Sequence, residues 1–345
     1  MFKKIAPWLV VAACSLGAVT EAQEGPPTPQ NPEQMQEEFQ AAFDFGLDAI
    51  RDKKYKAAVR AFTRCVAIFP ERPTAYYNLA CCYSLMANKA EAMKWTEEAL
   101  KRGFDGFEHM VRDTDLDNIR KEPEFIALVE RYRKKLIEGR KSQSGALYFG
   151  VRGERQALVV FLHGNGQSPA DYRAWKGWAE RAGVGLLLLP GTDEIRGQRG
   201  WGSSAETVVL EDVKAAIKTY GADPARVLAA GFSTGAYQAL SLGLRHPSVF
   251  RGVIAFSPYY ERSELDASLA KAKNLRVFMT TGRDDPVSDS AREGRDAMVE
   301  GGLKVVLRRF DGGHALPGKP EQELTAGLRW VCENERPGAG RRRAF

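Results

Sequence analysis

Histidine is scarce in this sequence: four residues in 345, His109, His163, His246 and His314. Cysteine is almost as rare. Of its five cysteines, Cys65, Cys81, Cys82 and Cys332 have no metal-ligand spacing, and none of the four histidines joins them in a cluster. A structural or catalytic metal centre is therefore not expected. No glycine-rich phosphate loop is present either, so nucleotide cofactors have no support. The longest leading apolar run, Ile5 to Ala13, is broken by Pro7 and falls short of the roughly 20 residues that span a bilayer. Charge of one sign is not in large excess: 50 Lys and Arg face 44 Asp and Glu, and part of the +6 balance sits in Lys3, Lys4 and Arg341 to Arg343. With no nucleic-acid-binding motif beside it, that balance reads as solvated surface and a basic tail, not as a nucleic-acid partner.

What is present begins with the pattern of an export signal. Lys3 and Lys4 precede the apolar run, and a small-residue stretch ends at Glu21-Ala22-Gln23, which predicts cleavage near Ala22 and a periplasmic or extracellular protein. Val11-Ala12-Ala13-Cys14 also resembles a lipobox, which would acylate Cys14 and anchor the chain to a membrane. Residues 23–36 are polar and Pro-rich and are expected to form a linker, with order beginning near Glu37. Cys81 and Cys82 sit within a helical pattern, where cysteine acts as a small apolar residue.

From residue 37 to 138 the pattern is helical with a 34-residue period. Phe45-Gly46 matches Leu79-Ala80, Ala58 matches Ala92, and Cys65 matches Ala99. Small residues at these positions let antiparallel helices approach, with Tyr55, Phe62, Tyr76, Tyr83 and Leu100 supplying bulk on facing sides. The stretch resembles two tetratricopeptide repeats, with residues 115–132 as a cap. That resemblance implies a protein or peptide partner. Because two repeats are marginal alone, the module is expected to pack against the second domain.

After a charged boundary the period changes. Ala157 to Leu162, Gly185 to Leu189, Val227 to Ala230, Gly252 to Phe256 and Arg276 to Thr280 are short continuous apolar runs, as parallel strands buried on both faces require. Helix-length segments such as Ala205 to Tyr220 and Ser288 to Glu300 lie between them. Residues 145–334 thus predict a doubly wound, mostly parallel sheet, with its site at the carboxyl ends of the strands. Residues 335–345 read as a basic, disordered tail.

Gly231-Phe232-Ser233-Thr234-Gly235 follows one predicted strand and opens a predicted helix, the setting in which a tight turn thrusts a serine hydroxyl upward. Asp285 follows another strand in Gly282-Arg283-Asp284-Asp285-Pro286-Val287, with Asp284 as its rival. His314 follows Gly312-Gly313 after the last strand. His163, in His163-Gly164-Asn165-Gly166, is assigned to holding its loop, and His246, before Pro247, to a helix end.

In this order the motifs resemble the serine esterases of the α/β-hydrolase superfamily, in particular the polyhydroxyalkanoate depolymerase-like and phospholipase/carboxylesterase-like branch. Asp223 to Val227 and Phe256-Ser257-Pro258 fit that branch. The resemblance implies an α/β-hydrolase fold, Ser233, Asp285 and His314 as nucleophile, acid and base, an oxyanion hole from the backbone N–H groups of Asn165 and Thr234, and an ester substrate without a cofactor. No long insertion follows Phe256, so a large lid is not expected. Trp201, on the 197–204 loop, is expected to form a substrate wall. Two other readings stand beside this one: a repeat-based scaffold with a degenerate hydrolase domain, and a serine peptidase of the prolyl-oligopeptidase type, which lacks its usual preceding propeller here.

Overall fold

The computed structural model describes residues 31–140, 145–150, 156–195 and 198–332. The expected leader 1–22 with Cys14, most of the linker, and the basic tail lie outside the described residues. Helix α1, Pro32–Arg51, begins with Asn31, whose side chain accepts a hydrogen bond from the Gln34 N–H at 2.8 Å. Pro32 occupies the first turn, where a missing N–H leaves no bond unmade and the fixed φ suits the helix. The expected linker 23–36 is corrected here: its last residues are helical, because Pro32 is a helix-starting proline and not a further breaker. Helix α2, Tyr55–Ile68, packs back on α1. A Cβ on Gly46 would come within 2.6 Å of the Phe62 ring, and Phe62 has no exposed surface to move into. The small residue in the repeat pattern is thus a contact requirement.

The chain divides between Glu71 and Arg72 into two compact units. The first holds α1 and α2. The second opens with α3, Pro73–Leu85, and α4, Lys89–Lys101, where Ala80, Ala92 and Ala99 are completely buried at the helix contact. Helix α5, Phe107–Arg112, a short 3₁₀ turn and α6, Pro123–Arg140, cover the remaining apolar face with Leu116, Ile119 and Phe125. Helix α6 continues to Arg140, beyond the expected end of the helical region at residue 138. The same compact unit contains the sheet. Arg112 of α5 pairs with Glu206 and Ser203 with Asp105, so the second helical pair and its cap join the sheet domain through charged and polar contacts. Cys65, Cys81 and Cys82 are free, buried thiols. Burial pushes Cys65 up to about 11 and Cys82 up to about 12, so neither is a thiolate near neutral pH. Among the described residues no helix is long and apolar enough to cross a membrane.

Among the described residues seven strands form the main sheet: β1 Leu147–Gly150, β2 Gln156–Leu162, β3 Gly185–Leu189, then β6 Ala222–Phe232, β7 Gly252–Phe256, β8 Arg276–Gly282 and β9 Lys304–Phe310. Between β3 and β6, β4 (Asp193–Ile195) and β5 (Gln198–Gly200) make a separate hairpin. The sheet order is β1-β3-β2-β6-β7-β8-β9, and only β1 runs antiparallel to its neighbour. Alternate side chains of β2 feed two cores. Leu158, Val160 and Leu162 meet α8 (Ala205–Tyr220), α9 (Thr234–Arg245) and α11 (Ser288–Glu300), whereas Ala157, Val159 and Phe161 meet α7 (Lys176–Ala182) and α12 (Pro320–Cys332). The short α10 (Arg262–Leu265) follows β7. Strand β9 closes one edge with Lys304, Arg308 and Arg309, whose charges discourage pairing with another sheet. From β2 the chain passes to β3 on one side and later returns to β6 on the other. That reversal opens a crevice at the carboxyl ends of β2 and β6, the usual place for a site in such sheets.

Candidate active site

Strand β6 delivers the chain to Ser233, which has φ 54° and ψ −122°. A non-glycine residue is rarely found there, and holding it costs about 1–3 kcal/mol that the surroundings must supply. The Ser233 N–H donates to the Phe256 carbonyl at 2.9 Å, which fixes the turn to β7. Glycine is needed on both sides because backbone closes in: a Cβ on Gly231 would lie 2.2 Å from the Gly235 carbonyl oxygen, and one on Gly235 would lie 2.0 Å from that of Leu162. No flexible side chain can yield at either place. Gly235→Ala is therefore expected to displace the turn and destabilise the fold by several kcal/mol, an effect that urea unfolding would read.

His314 follows Gly312, at φ 143°, and Gly313 on the loop after β9. Gly282 lets this loop come close, since a Cβ there would meet the Gly312 carbonyl at 2.2 Å. The imidazole Nε2 lies 2.8 Å from Ser233 Oγ, and Nδ1 lies 2.9 and 3.1 Å from the two Asp285 oxygens. A carboxylate can only accept, so the proton belongs on Nδ1 and leaves Nε2 free to accept from the serine hydroxyl. Asp285 itself is buried and takes the Val287 N–H on Oδ1 at 3.0 Å. Burial pushes its carboxyl up, but the Val287 N–H, the Ser257 hydroxyl and His314 outweigh that and hold it below the ordinary aspartate value. Asp284 is exposed, and its N–H donates to Gly312. Of the two candidate acids, then, Asp285 is the one beside His314.

The loop after β2 is held from several sides. His163 is buried; its Nε2 accepts the Gly191 N–H at 2.8 Å and its Nδ1 donates to the Gly164 carbonyl at 2.7 Å. Burial pushes the imidazole pKa down, so the ring is a neutral strut. The Gly164 N–H donates to Gln167 Oε1 and the Gly166 N–H to the Arg199 carbonyl, at 2.9 and 2.8 Å, which anchors the chain on both sides of Asn165. Leu162 and Gly231 are register partners, so this loop and the Ser233 turn leave adjacent strand ends. Thr234 is the first residue of α9, a position whose N–H has no intrahelical acceptor. Backbone donors can thus converge beside Ser233. Trp201 requires a correction. It is 7% exposed, belongs to the core and donates its indole N–H to the His163 carbonyl at 2.8 Å, so it braces the loop instead of forming an open substrate wall. Among the described residues no group of His, Cys, Asp and Glu could hold a metal ion. Sequence alone assigns no role to Ser257, Gln167 or the β4–β5 hairpin; only the Phe256-Ser257-Pro258 pattern after a strand gives any signal.

Residues 155–301 match the family model described as "Putative esterase", and residues 49–109 match that of the tetratricopeptide repeat. A chloroplastic protein of Arabidopsis thaliana is 33% identical over 95 residues, 27% of this chain and 28% of that protein. "Putative esterase NocK" of Nocardia uniformis subsp. tsuyamanensis is 32% identical over 118 residues, 29% of this chain and 32% of that protein. The chain thus spans about a third or less of the length of these curated relatives. Among solved structures, the Bacillus cereus carboxylesterase superposes with a TM-score of 0.46 at 16% identity, covering 58% of this chain and 99% of its own. The match to the esterase family thus falls on the mostly parallel sheet that carries Ser233, and the match to the tetratricopeptide repeat falls on the helices before it.

Proposed function

We propose that this protein is an exported serine hydrolase that cleaves carboxylic esters through an acyl-enzyme. The observation carrying the reading is the continuous hydrogen-bonded line from Ser233 through His314 to Asp285. His314 takes the hydroxyl proton as Oγ attacks the acyl carbonyl, then hands it to the leaving alcohol. Asp285 holds the imidazole tautomer and stabilises the imidazolium. The Asn165 and Thr234 N–H groups would receive the oxyanion, each such donor being worth about 3 kcal/mol in comparable sites. Water, activated by the same histidine, then frees the acid. The repeats are proposed to hold a protein or peptide partner, and export rests on the leader pattern of residues 1–22.

Hydrolysis of short and long p-nitrophenyl esters, together with fluorophosphonate labelling located by mass spectrometry, tests the proposal. Turnover with label on Ser233 supports it; an inert protein that takes no label leaves the scaffold reading in its place. Asp285→Asn is expected to lower kcat by about 10⁴-fold through the wrong histidine tautomer. Asp284→Asn, altering only an exposed carboxylate, is expected to retain wild-type turnover. The reverse ranking would reassign the acid.

A further inference from the structure

Among the described residues, four non-glycine residues have left-handed φ: Lys53, Ala87, Ser233 and Ser257. Lys53 and Ala87 come just after α1 and α3, where a left-handed residue ends many helices. Ser233 is the proposed nucleophile. Ser257, at φ 50°, has no helix end to account for it and follows β7, the strand beside the one that carries Ser233. Its backbone repeats the same device: the Ser257 N–H donates to the Thr280 carbonyl at 2.7 Å, as the Ser233 N–H does to Phe256.

The turn places a hydroxyl with no solvent exposure between two loops that must meet. On one side, Ser257 Oγ is 3.3 Å from the carbonyl oxygen of Ala315, the residue after His314. On the other, the same hydroxyl is among the groups that stabilise the Asp285 carboxylate. The remaining partners of that carboxylate are the Val287 N–H, His314 and, at 3.5 Å, the Thr281 hydroxyl. Two of these, Val287 and Thr281, come from the acid's own strand and loop. Among the described residues, and apart from the base itself, Ser257 is therefore the cross-strand tie.

We infer that Ser257 is a positioning residue, whose hydroxyl, aimed by a left-handed turn, keeps Asp285 and the backbone beside His314 in register with the nucleophile. It touches neither substrate nor the reacting atoms. The inference rests on the serine-hydrolase reading of Ser233. The hydroxyl donates to the Ala315 carbonyl at 3.3 Å and also favours the charged form of the Asp285 carboxylate. The carbonyl contact then limits how far the histidine loop can drift.

Two substitutions separate the hydroxyl from the turn. Ser257→Ala keeps the Cβ and the strained φ, whereas Ser257→Gly adopts that φ freely and also lacks the hydroxyl. Both are expected to lower kcat about tenfold, the loss of the hydroxyl that ties the backbone beside His314 and supports the Asp285 carboxylate, with KM changed less than about twofold. In both, the downfield proton resonance of His314 Nδ1–H should shift or broaden, while the thermal midpoint of the glycine variant stays at or above that of the alanine variant. Wild-type kcat in either variant, or an unaltered resonance, overturns the inference. So does a glycine variant that keeps kcat while alanine loses it, because the turn and not the hydroxyl would then matter. If the unaltered protein hydrolyses esters no faster than Ser233→Ala, the hydrolase reading fails first. The resonance would still decide whether Ser257 orders the Asp285–His314 pair.

Discussion

Ser233→Ala is expected to lower kcat by about 10⁶-fold, as removal of the nucleophile does where a serine, a histidine and an acid act as one unit. The folded state should survive the change. Alanine at φ 54° meets the same steric cost as serine, the Gly231 and Gly235 contacts are untouched, and the Ser233 N–H to Phe256 bond is made by backbone. The unfolding midpoint should accordingly match the wild type while turnover collapses. Ser233→Gly extends the test: it would lose the same activity yet gain stability, because glycine adopts that conformation without strain. A rate about 10³ to 10⁴ above water can persist in either variant if the Asn165 and Thr234 N–H groups still polarise a bound carbonyl. The measurement is single-turnover hydrolysis of an activated ester with all three proteins. Retention of more than about a thousandth of wild-type kcat would mean that another group attacks, since the remaining groups alone supply no such rate.

The sheet and the turn that carries its candidate site are legible because two different physical constraints write on the sequence. Runs such as Gly185 to Leu189 are apolar at every position because both faces of a central parallel strand are covered. The glycines flanking Ser233 mark places where backbone comes within reach of any Cβ. Features that depend on tertiary partners leave weaker traces. Strand β1 is four half-buried residues on an edge, and the β4–β5 hairpin is shorter still, so neither builds a period. Pro32 reads as one more breaker in a Pro-rich stretch; its neighbour Asn31 makes it a helix start. Trp201 lies near the site, as its neighbourhood in the chain implies, but its task differs from the expected one, because sequence does not tell which way an indole faces. Ser257 is a single residue whose role depends on a dihedral angle and on two loops distant in the chain.

Glu206→Gln is expected to destabilise the second compact unit by about 2–4 kcal/mol near neutral pH, the cost of removing a buried counter-charge from the half-buried guanidinium groups of Arg112 and Arg245. Glu206, in the first turn of α8, is 9% exposed. Its carboxylate takes both Arg112 guanidinium nitrogens, at 2.5 and 2.8 Å, with His246 Nε2 at 2.5 Å and Arg245 Nη1 at 3.4 Å. Burial pushes the carboxyl up, but His246 and Arg112 more than offset this and hold it at about 2. Since the folded value lies below the ordinary 4.5, the carboxylate contributes stability above pH 4.5 and loses that contribution as pH falls toward 2. A shift of that size corresponds to roughly 3 kcal/mol, in line with the mutational figure. The gap between wild type and Glu206→Gln should therefore be full at pH 7 and much narrower at pH 3, where urea unfolding of both proteins can be compared. Arg112 comes from the helical segment that precedes the sheet, whereas Arg245 and His246 end the helix that Ser233 starts. Loosening this node is expected to separate the helical cap from the sheet before it disturbs the turn at the other end of α9, so kcat of the variant at low temperature should fall far less than its stability. Equal urea midpoints at pH 7 would mean that the cations around Glu206 are adequately solvated without it, and that the cap is held to the sheet by apolar contact instead.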